Sequence, residues 1–312
     1  MSDLFVNPHA RFALWVLERG LLRTPFVLAD IGVQGGIAPR WTHLDGHLIV
    51  HGFDPLEETI EPLRRKALPG HHYHAIALGN EDGERDLHVP DISFASSFYP
   101  GVHETGLANP AGIASNARPR RVPIRRLDTL VSSGEIDQAD LIKIDCEGFE
   151  PEILDGAQKL LATAPPLAIE SESTFRSSRN APDGHFFALS QRLLPHGFRV
   201  ADLAFSRTPY ASFIERARKL RRRIVHRTLI PQLDVLNVLF YRDLSDKTPS
   251  TDEVLKQAIV FEAYGLRDSA FELLNRFRRI FPPEARIADG ADLLTRWAGR
   301  LRHLVPIRPT RI

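Results

Sequence analysis

Cysteine is nearly absent from this chain, with Cys146 the only one in 312 residues. One thiol can form neither an intrachain disulfide nor a thiol-based zinc cluster. Long apolar runs are missing as well. No stretch reaches the roughly 18–20 apolar residues that span a bilayer. Residues 1–12 lack the basic-then-apolar order of a secretory signal. A cytoplasmic protein with no transmembrane segment is the expectation. An excess of one charge sign is also lacking. Forty Lys and Arg against 39 Asp and Glu leave a formal net charge of +1, so a dedicated nucleic-acid binder is not expected. No low-complexity tract occurs, and the helical hairpin around 265–268 has no second copy to make a solenoid.

An ordinary apolar fraction of 43% over this length suits one large domain, or one domain with an appendage. Residues 8–20 carry apolar positions at helical spacing. Short apolar runs then recur, each closed by a polar or glycine-rich turn. They predict strands at 26–31, 48–53, 73–78, 139–144, 166–169, 198–205 and 235–241. Helices are expected at 56–67, 150–161 and 186–194, and residues 84–126 read as irregular with short strands. Strands alternating with helices predict a parallel sheet with helices on both faces. Ligands of such sheets bind at the C-terminal strand edge, near the reversal in strand order. Asp30, Asp54, Asp145, Glu147 and Glu170 would then line one crevice. The expected organisation is an N-terminal helical segment (1–24), an α/β domain (25–247) and a C-terminal helical extension (248–312). Within the extension Ala258, Phe261, Tyr264, Phe271, Leu274 and Phe277 mark apolar faces, which would cap the sheet or form a homodimer contact.

Three motifs carry chemistry. Asp30-Ile31-Gly32-Val33-Gln34-Gly35-Gly36 follows the first strand. Its glycines permit a sharp turn, but their spacing is not that of a phosphate-binding loop. The leading carboxylate would repel an anion and suits a cationic ligand, such as the sulfonium and amino groups of S-adenosylmethionine. Gly52-Phe53-Asp54-Pro55 ends the second strand. Asp54 there can accept ribose hydroxyls, and it can equally cap the helix that Pro55 begins. The third motif, Lys143-Ile144-Asp145-Cys146-Glu147-Gly148-Phe149-Glu150, sets a lysine and several carboxylates at a strand end. Capping accounts for Glu147 and Glu150 in part, whereas a ligand or catalytic role fits Asp145 or Glu147.

Together with Ala75 to Gly79, Ser96 to Phe98, Arg126 to Leu130 and Leu141 to Ala157, these motifs occur in the order of the FkbM-type methyltransferases, which the chain resembles over roughly residues 25–242. The resemblance implies a Rossmann-like seven-stranded methyltransferase sheet, S-adenosylmethionine as donor, and O-methylation of a hydroxyl on a sugar, a glycan or a natural product. By position it implies Asp30, Gly32, Gln34 and Gly36 in the donor loop and Asp54 on the ribose. It also implies Ala77 and Leu78 at the adenine, with Asp145 and Glu147 at the methionine end and the acceptor. Gln34 stands where Asn is commoner, and Asp54 where Glu is.

Methyl transfer is an in-line displacement in which alignment does most of the work. A sugar hydroxyl still needs a base or a metal. Asp145, Glu147, Glu170 and Glu172 are candidate bases, with Lys143 beside them and His185 a further one. Alternatively, Asp145 and Glu170 hold a divalent metal such as Mg²⁺. A basic insert at 206–234, with Arg216, Arg218, Lys219, Arg221, Arg222, Arg223 and Arg227, is expected over the acceptor pocket. There it would meet an anionic glycan or a lipid-linked sugar, or else it is a solvated basic helix. Two other readings stay open: a non-catalytic donor-binding module, and an NAD-type oxidoreductase.

Overall fold

The computed structural model describes residues 10–91, 95–100, 116–175, 185–208 and 232–295. Its strands are β1 (Phe26–Ile31), β2 (Leu48–Phe53), β3 (His71–His74), β4 (Ala77–Leu78), β5 (Gly83–Val89), β6 (Arg118–Arg125), β7 (Leu141–Ile144), β8 (Ala168–Thr174), β9 (Phe198–Thr208) and β10 (Gln232–Arg242). Its α-helices are α1 (Arg11–Glu18), α2 (Glu57–Arg65), α3 (Leu127–Ser133), α4 (Glu150–Asp155), α5 (Gln158–Thr163), α6 (Phe186–Leu193), α7 (Thr251–Ala263), α8 (Arg267–Arg276) and α9 (Ile287–Thr295). Two compact units divide the chain. Pro25–Pro39 and Asp45–Lys247 form the first, while Phe5–Thr24, Arg40–Leu44 and the chain from Thr248 onward form the second.

The first unit is built on a seven-stranded sheet of order β3-β2-β1-β7-β8-β10-β9. Six strands run parallel, and β10 runs against both of its neighbours. Strand order moves one way from β1 to β3 and the other way from β7. Right-handed crossovers therefore put α2 on one face and α4 to α6 on the other. Val27, Ala29, Ile31, Phe53, Ile142, Ile144 and Ile169 alternate along their strands. They pack with Phe149, Leu154 and Leu189 of the helical layer into the main core.

Several expectations are revised. The single strand at 73–78 is two. β3 ends opposite the last residue of β2, at Phe53↔His74, and β4 pairs with β6 in a separate three-stranded sheet. Residues 84–126 hold two long strands, β5 and β6, paired antiparallel. Pro119 and Pro123 obscured β6 in the sequence. They are tolerated because only Ile124 of β6 has partners on both sides. The helix at 150–161 breaks at Gly156, where a Cβ would lie 1.8 Å from the Gly79 carbonyl oxygen. The Gly156 carbonyl accepts from Asp128 N, and the Asp128 carboxylate accepts from Lys159 N and Leu160 N, capping α5. The fifth strand runs to Thr174, so Glu170 lies inside it rather than past its end. The basic cluster of the insert, Arg216 to Arg227, lies outside the described residues.

The second unit is helical. Glu262, buried on α7, accepts from Phe12 N at 2.8 Å and Ala13 N at 2.9 Å, satisfying donors in the first turn of α1. Ser250 and Glu253 form a reciprocal capping box at the start of α7. Gly290 of α9 lets the Trp15 ring approach to where a Cβ would be 2.5 Å away. Ala258, Phe261, Tyr264 and Leu274 are buried, as their spacing predicted. No helix among the described residues is long and apolar enough to cross a membrane.

Histidines gather at the β2–β3 edge. His51 Nδ1 lies 3.3 Å from His74 Nε2, its Nε2 lies 3.1 Å from Asp137, and its ring stacks on His72. Burial, then the neighbouring His51, His72 and Arg64, lowers the His74 pKa to about 4, against the opposing pull of Glu135. A histidine depressed in the fold is protonated first in the unfolded chain. Its contribution is whole above about 6.5 and is lost as pH falls through about 4. The loss of thermal midpoint between pH 7 and pH 5 should therefore shrink in His74→Gln. An unchanged slope in calorimetry would contradict this role.

Candidate active site

Strand order reverses between β1 and β7, and the chain keeps its chemistry at their C-terminal ends. Asp145 N donates to Ile31 O at 3.0 Å, and Gly32 N donates to Phe53 O at 2.9 Å. Gly32 has φ +84°, and a Cβ on it would lie 2.0 Å from the Asp145 carbonyl oxygen. This glycine therefore lets the turns after β1 and β7 touch. Gly35, at φ +81°, has nothing within 4 Å of its would-be Cβ. With exposed Gln34, it forms the open part of the loop.

Cross-strand register lays one polar row over the sheet: Tyr73, Gly52, Asp30, Lys143 and Glu170. The row lies on the face opposite the apolar core, because Asp30 and Lys143 alternate with Ile31 and Ile144. Lys143 Nζ is 3.3 Å from Asp30 Oδ1 and 3.4 Å from Asp145 Oδ2, and it donates to Gly32 O at 3.2 Å. Burial works to lower the lysine pKa, but Asp30, Asp145 and Glu170 outweigh it and hold the ammonium charged. Lys143, expected among the catalytic residues, is thus a cation tying two strand ends together and has no basic lone pair to offer.

The turn after β7 is unusual in its backbone. Glu147 adopts φ +54° and Gly148 φ +96°. A non-glycine residue in this region costs about 1–2 kcal/mol. Three contacts hold it there. Buried Glu150 Oε1 accepts from Cys146 N at 2.9 Å and Gly148 N at 3.2 Å. Ser97 Oγ donates to the Glu147 carbonyl at 2.9 Å, and Phe98 packs on Phe149 with centroids 4.5 Å apart. Tyr99 OH bonds Glu152. Residues 96–98, a motif without an assigned task in the sequence, thus clamp the acidic turn.

Oxygens of Asp145, Glu147 and Glu172 all lie within 4.8 Å of one another. Burial, then Asp145 and Glu150, pushes Glu147 up to about 8, with Lys143 opposing. Burial drives Glu150 up to about 7 against its backbone hydrogen bonds. Glu172 is raised further by burial, by the charges of Asp145, Glu147 and Glu150, and by a hydrogen bond with Asp145. Glu170 meets Lys143 in register one row deeper.

Asp54 stands just past β2 and accepts from Leu56 N at 2.8 Å, ordering the entry to α2. Burial raises its pKa, against the bonds from Leu56 and Thr59. Ala77 and Leu78 are buried in the second sheet. His185 caps α6, its Nδ1 accepting from Ala188 N at 3.2 Å, which occupies the nitrogen a base would use.

Residues 30–200 match the methyltransferase FkbM domain, which is more than half of the chain. The chain belongs to the FkbM methyltransferase family. An FkbM methyltransferase from Methylobacillus flagellatus is similar in structure, with 15% identity and a TM-score of 0.37, covering 74% of this chain and 47% of that one. An S-adenosylmethionine-dependent methyltransferase from Mesorhizobium loti shows 13% identity and a TM-score of 0.37 over 75% of this chain and 99% of its own. No curated protein matches the chain significantly. The matched FkbM segment runs from Asp30 through β9's first residues and so contains Asp54, Lys143, the acidic turn, Glu170 and Glu172.

The glycines should separate by mechanism. Gly32→Ala forces the two crevice turns apart and should cost about 3 kcal/mol or more, whereas Gly35→Ala pays only for its left-handed backbone, about 1 kcal/mol. Equal losses in urea melts would contradict the contact assigned to Gly32. Glu147→Gly relieves the strained turn and a buried carboxyl, so its thermal midpoint should rise.

Proposed function

We propose that this chain transfers a methyl group from S-adenosylmethionine to a hydroxyl of a sugar or glycan. The observation that carries the reading is the acidic crevice at the sheet's reversal point, with the Gly32–Gly36 loop on one wall and Asp145 and Glu147 on the other. A cationic ligand fits such a site, and a dinucleotide pyrophosphate does not. The donor, when bound, supplies an electrophilic methyl carbon. Gly35 and Gly36 leave the loop backbone open to it, Asp54 takes the ribose hydroxyls, and Asp145 and Glu147 face its methionine end. Asp30 acts through Lys143, which keeps Asp145 in place.

Glu147 is the acceptor's base in this reading. A carboxyl raised by burial is basic enough to take a proton from a hydroxyl as the oxygen attacks. We assign the acidic cluster to protons and not to a divalent metal. Lys143 already supplies a cation to Asp145, and Glu172 shares a hydrogen bond with that same aspartate.

Calorimetry with S-adenosylmethionine and S-adenosylhomocysteine tests the donor site. Micromolar binding is expected, weakened roughly tenfold in Asp54→Ala as about 1.4 kcal/mol of ribose contact is lost. No binding by a folded sample, or binding of NAD instead, would overturn the assignment. At donor concentrations well below saturation, turnover on a hydroxyl acceptor should rise with pH through about 8 and level off above it, because Glu147 of the donor-free enzyme must be deprotonated. Glu147→Gln should remove that rise along with most of the rate. A rate indifferent to EDTA is the expected companion result.

A further inference from the structure

Six carboxyl groups gather around one ammonium at the reversal point. Asp30 comes from β1, Glu170 and Glu172 from β8, Asp145 and Glu147 from the turn after β7, and Glu150 from α4. The ammonium is Lys143, already in contact with Asp30 and Asp145. Among the described residues, two other titratable groups beside this cluster carry no charge to balance it. Tyr73, in the polar row, is held neutral by burial and by Asp30. The buried Cys146 thiol is pushed up and stays protonated. Asn237 of β10, opposite Glu172, is polar but uncharged.

Carboxylates this close in a buried site cannot all ionise, so some hold protons at neutral pH. Glu147 and Glu172 are the members whose oxygens meet those of Asp145 within 4.8 Å. We propose that binding of the sulfonium donor to this crevice expels a proton from the acidic cluster, and that the carboxylate so vacated takes up the acceptor's proton during transfer. The inference rests on the donor site proposed above. A unit positive charge at ion-pair distance lowers a carboxyl pKa by roughly one to three units. Glu147, pushed up to about 8, is the group that such a shift carries across neutrality.

The balance closes in the transfer step. The acceptor oxygen forms the new O–C bond, the C–S electron pair leaves with sulfur, and the hydroxyl proton passes to the Glu147 carboxylate. The crevice therefore begins and ends with the same net charge. A carboxylate beside a sulfonium becomes a carboxylic acid beside a neutral thioether. The attraction that held the donor is then gone from the product, which favours exchange.

Proton counting by calorimetry tests this directly. Binding heats are measured in phosphate, HEPES and Tris near pH 7, for S-adenosylmethionine and for S-adenosylhomocysteine. The two ligands differ only by the methyl group and the positive charge it places on sulfur, so their difference isolates that change. The donor should release close to one proton more than the product. The ratio of their affinities should rise toward tenfold per pH unit between about pH 6 and pH 8. Glu147→Gln should abolish most of the difference while both ligands still bind. Equal proton counts with a pH-independent ratio would overturn the proposal and leave the donor site standing. Proton release seen only when Mg²⁺ is added would also overturn it. Binding of neither ligand would remove the donor site itself, and this inference with it.

Discussion

A single half-buried ammonium organises the candidate site. Lys143 reaches Asp30 on β1, Asp145 at the end of β7 and the carbonyl of Gly32 between them. Asp30 and Gly32 stand on the β1 wall of the crevice and Asp145 on the β7 wall, so the contacts join the two. Without the cation, Asp30 and Asp145 would be like charges in a buried place, and the two turns would repel where they must touch. Burial makes the ammonium costly, and only the surrounding carboxylates keep it charged. The cation and the acids thus depend on each other, and the position of Asp145 depends on both.

The left-handed turn at Glu147 follows from the same region. Strain there persists only because neighbouring groups over-determine it. Glu150 holds the amides on either side, Ser97 holds the carbonyl, and aromatic packing of Phe98 on Phe149 fixes the clamp. The result directs an acidic side chain toward Asp145 and Glu172, a geometry the chain would not adopt by itself. Strain of this kind marks a place where shape is maintained against stability, as expected of a working site.

The helical unit illustrates a different economy. Its members lie at opposite ends of the sequence, with α1 near the start and α7 to α9 near the end. Glu262 joins them by accepting two amides of α1 that would otherwise lack partners. A charged residue within an apolar helix face, which reads as a flaw in periodicity, is therefore what ties the two segments together.

Much of this protein was legible in one dimension. Apolar runs closed by polar turns marked β1, β2, β7 and β9, and the order of the motifs pointed to the family. Local signals suffice there, because hydrophobic spacing and turn residues act over a few positions. Other features needed distant partners. β6 was hidden by its prolines, and the end of β3 was set by the end of β2. The inward run of Glu170 to Ser173 offered no alternation to read, since β10 fixes that strand from 60 or so residues away. Residue identities alone named Asp145 and Glu147 as acids. Only the tertiary structure made Lys143 their counter-ion and gathered Glu172 and Glu150 around them. Charge and burial are properties of the space between segments, so no stretch of sequence carries them.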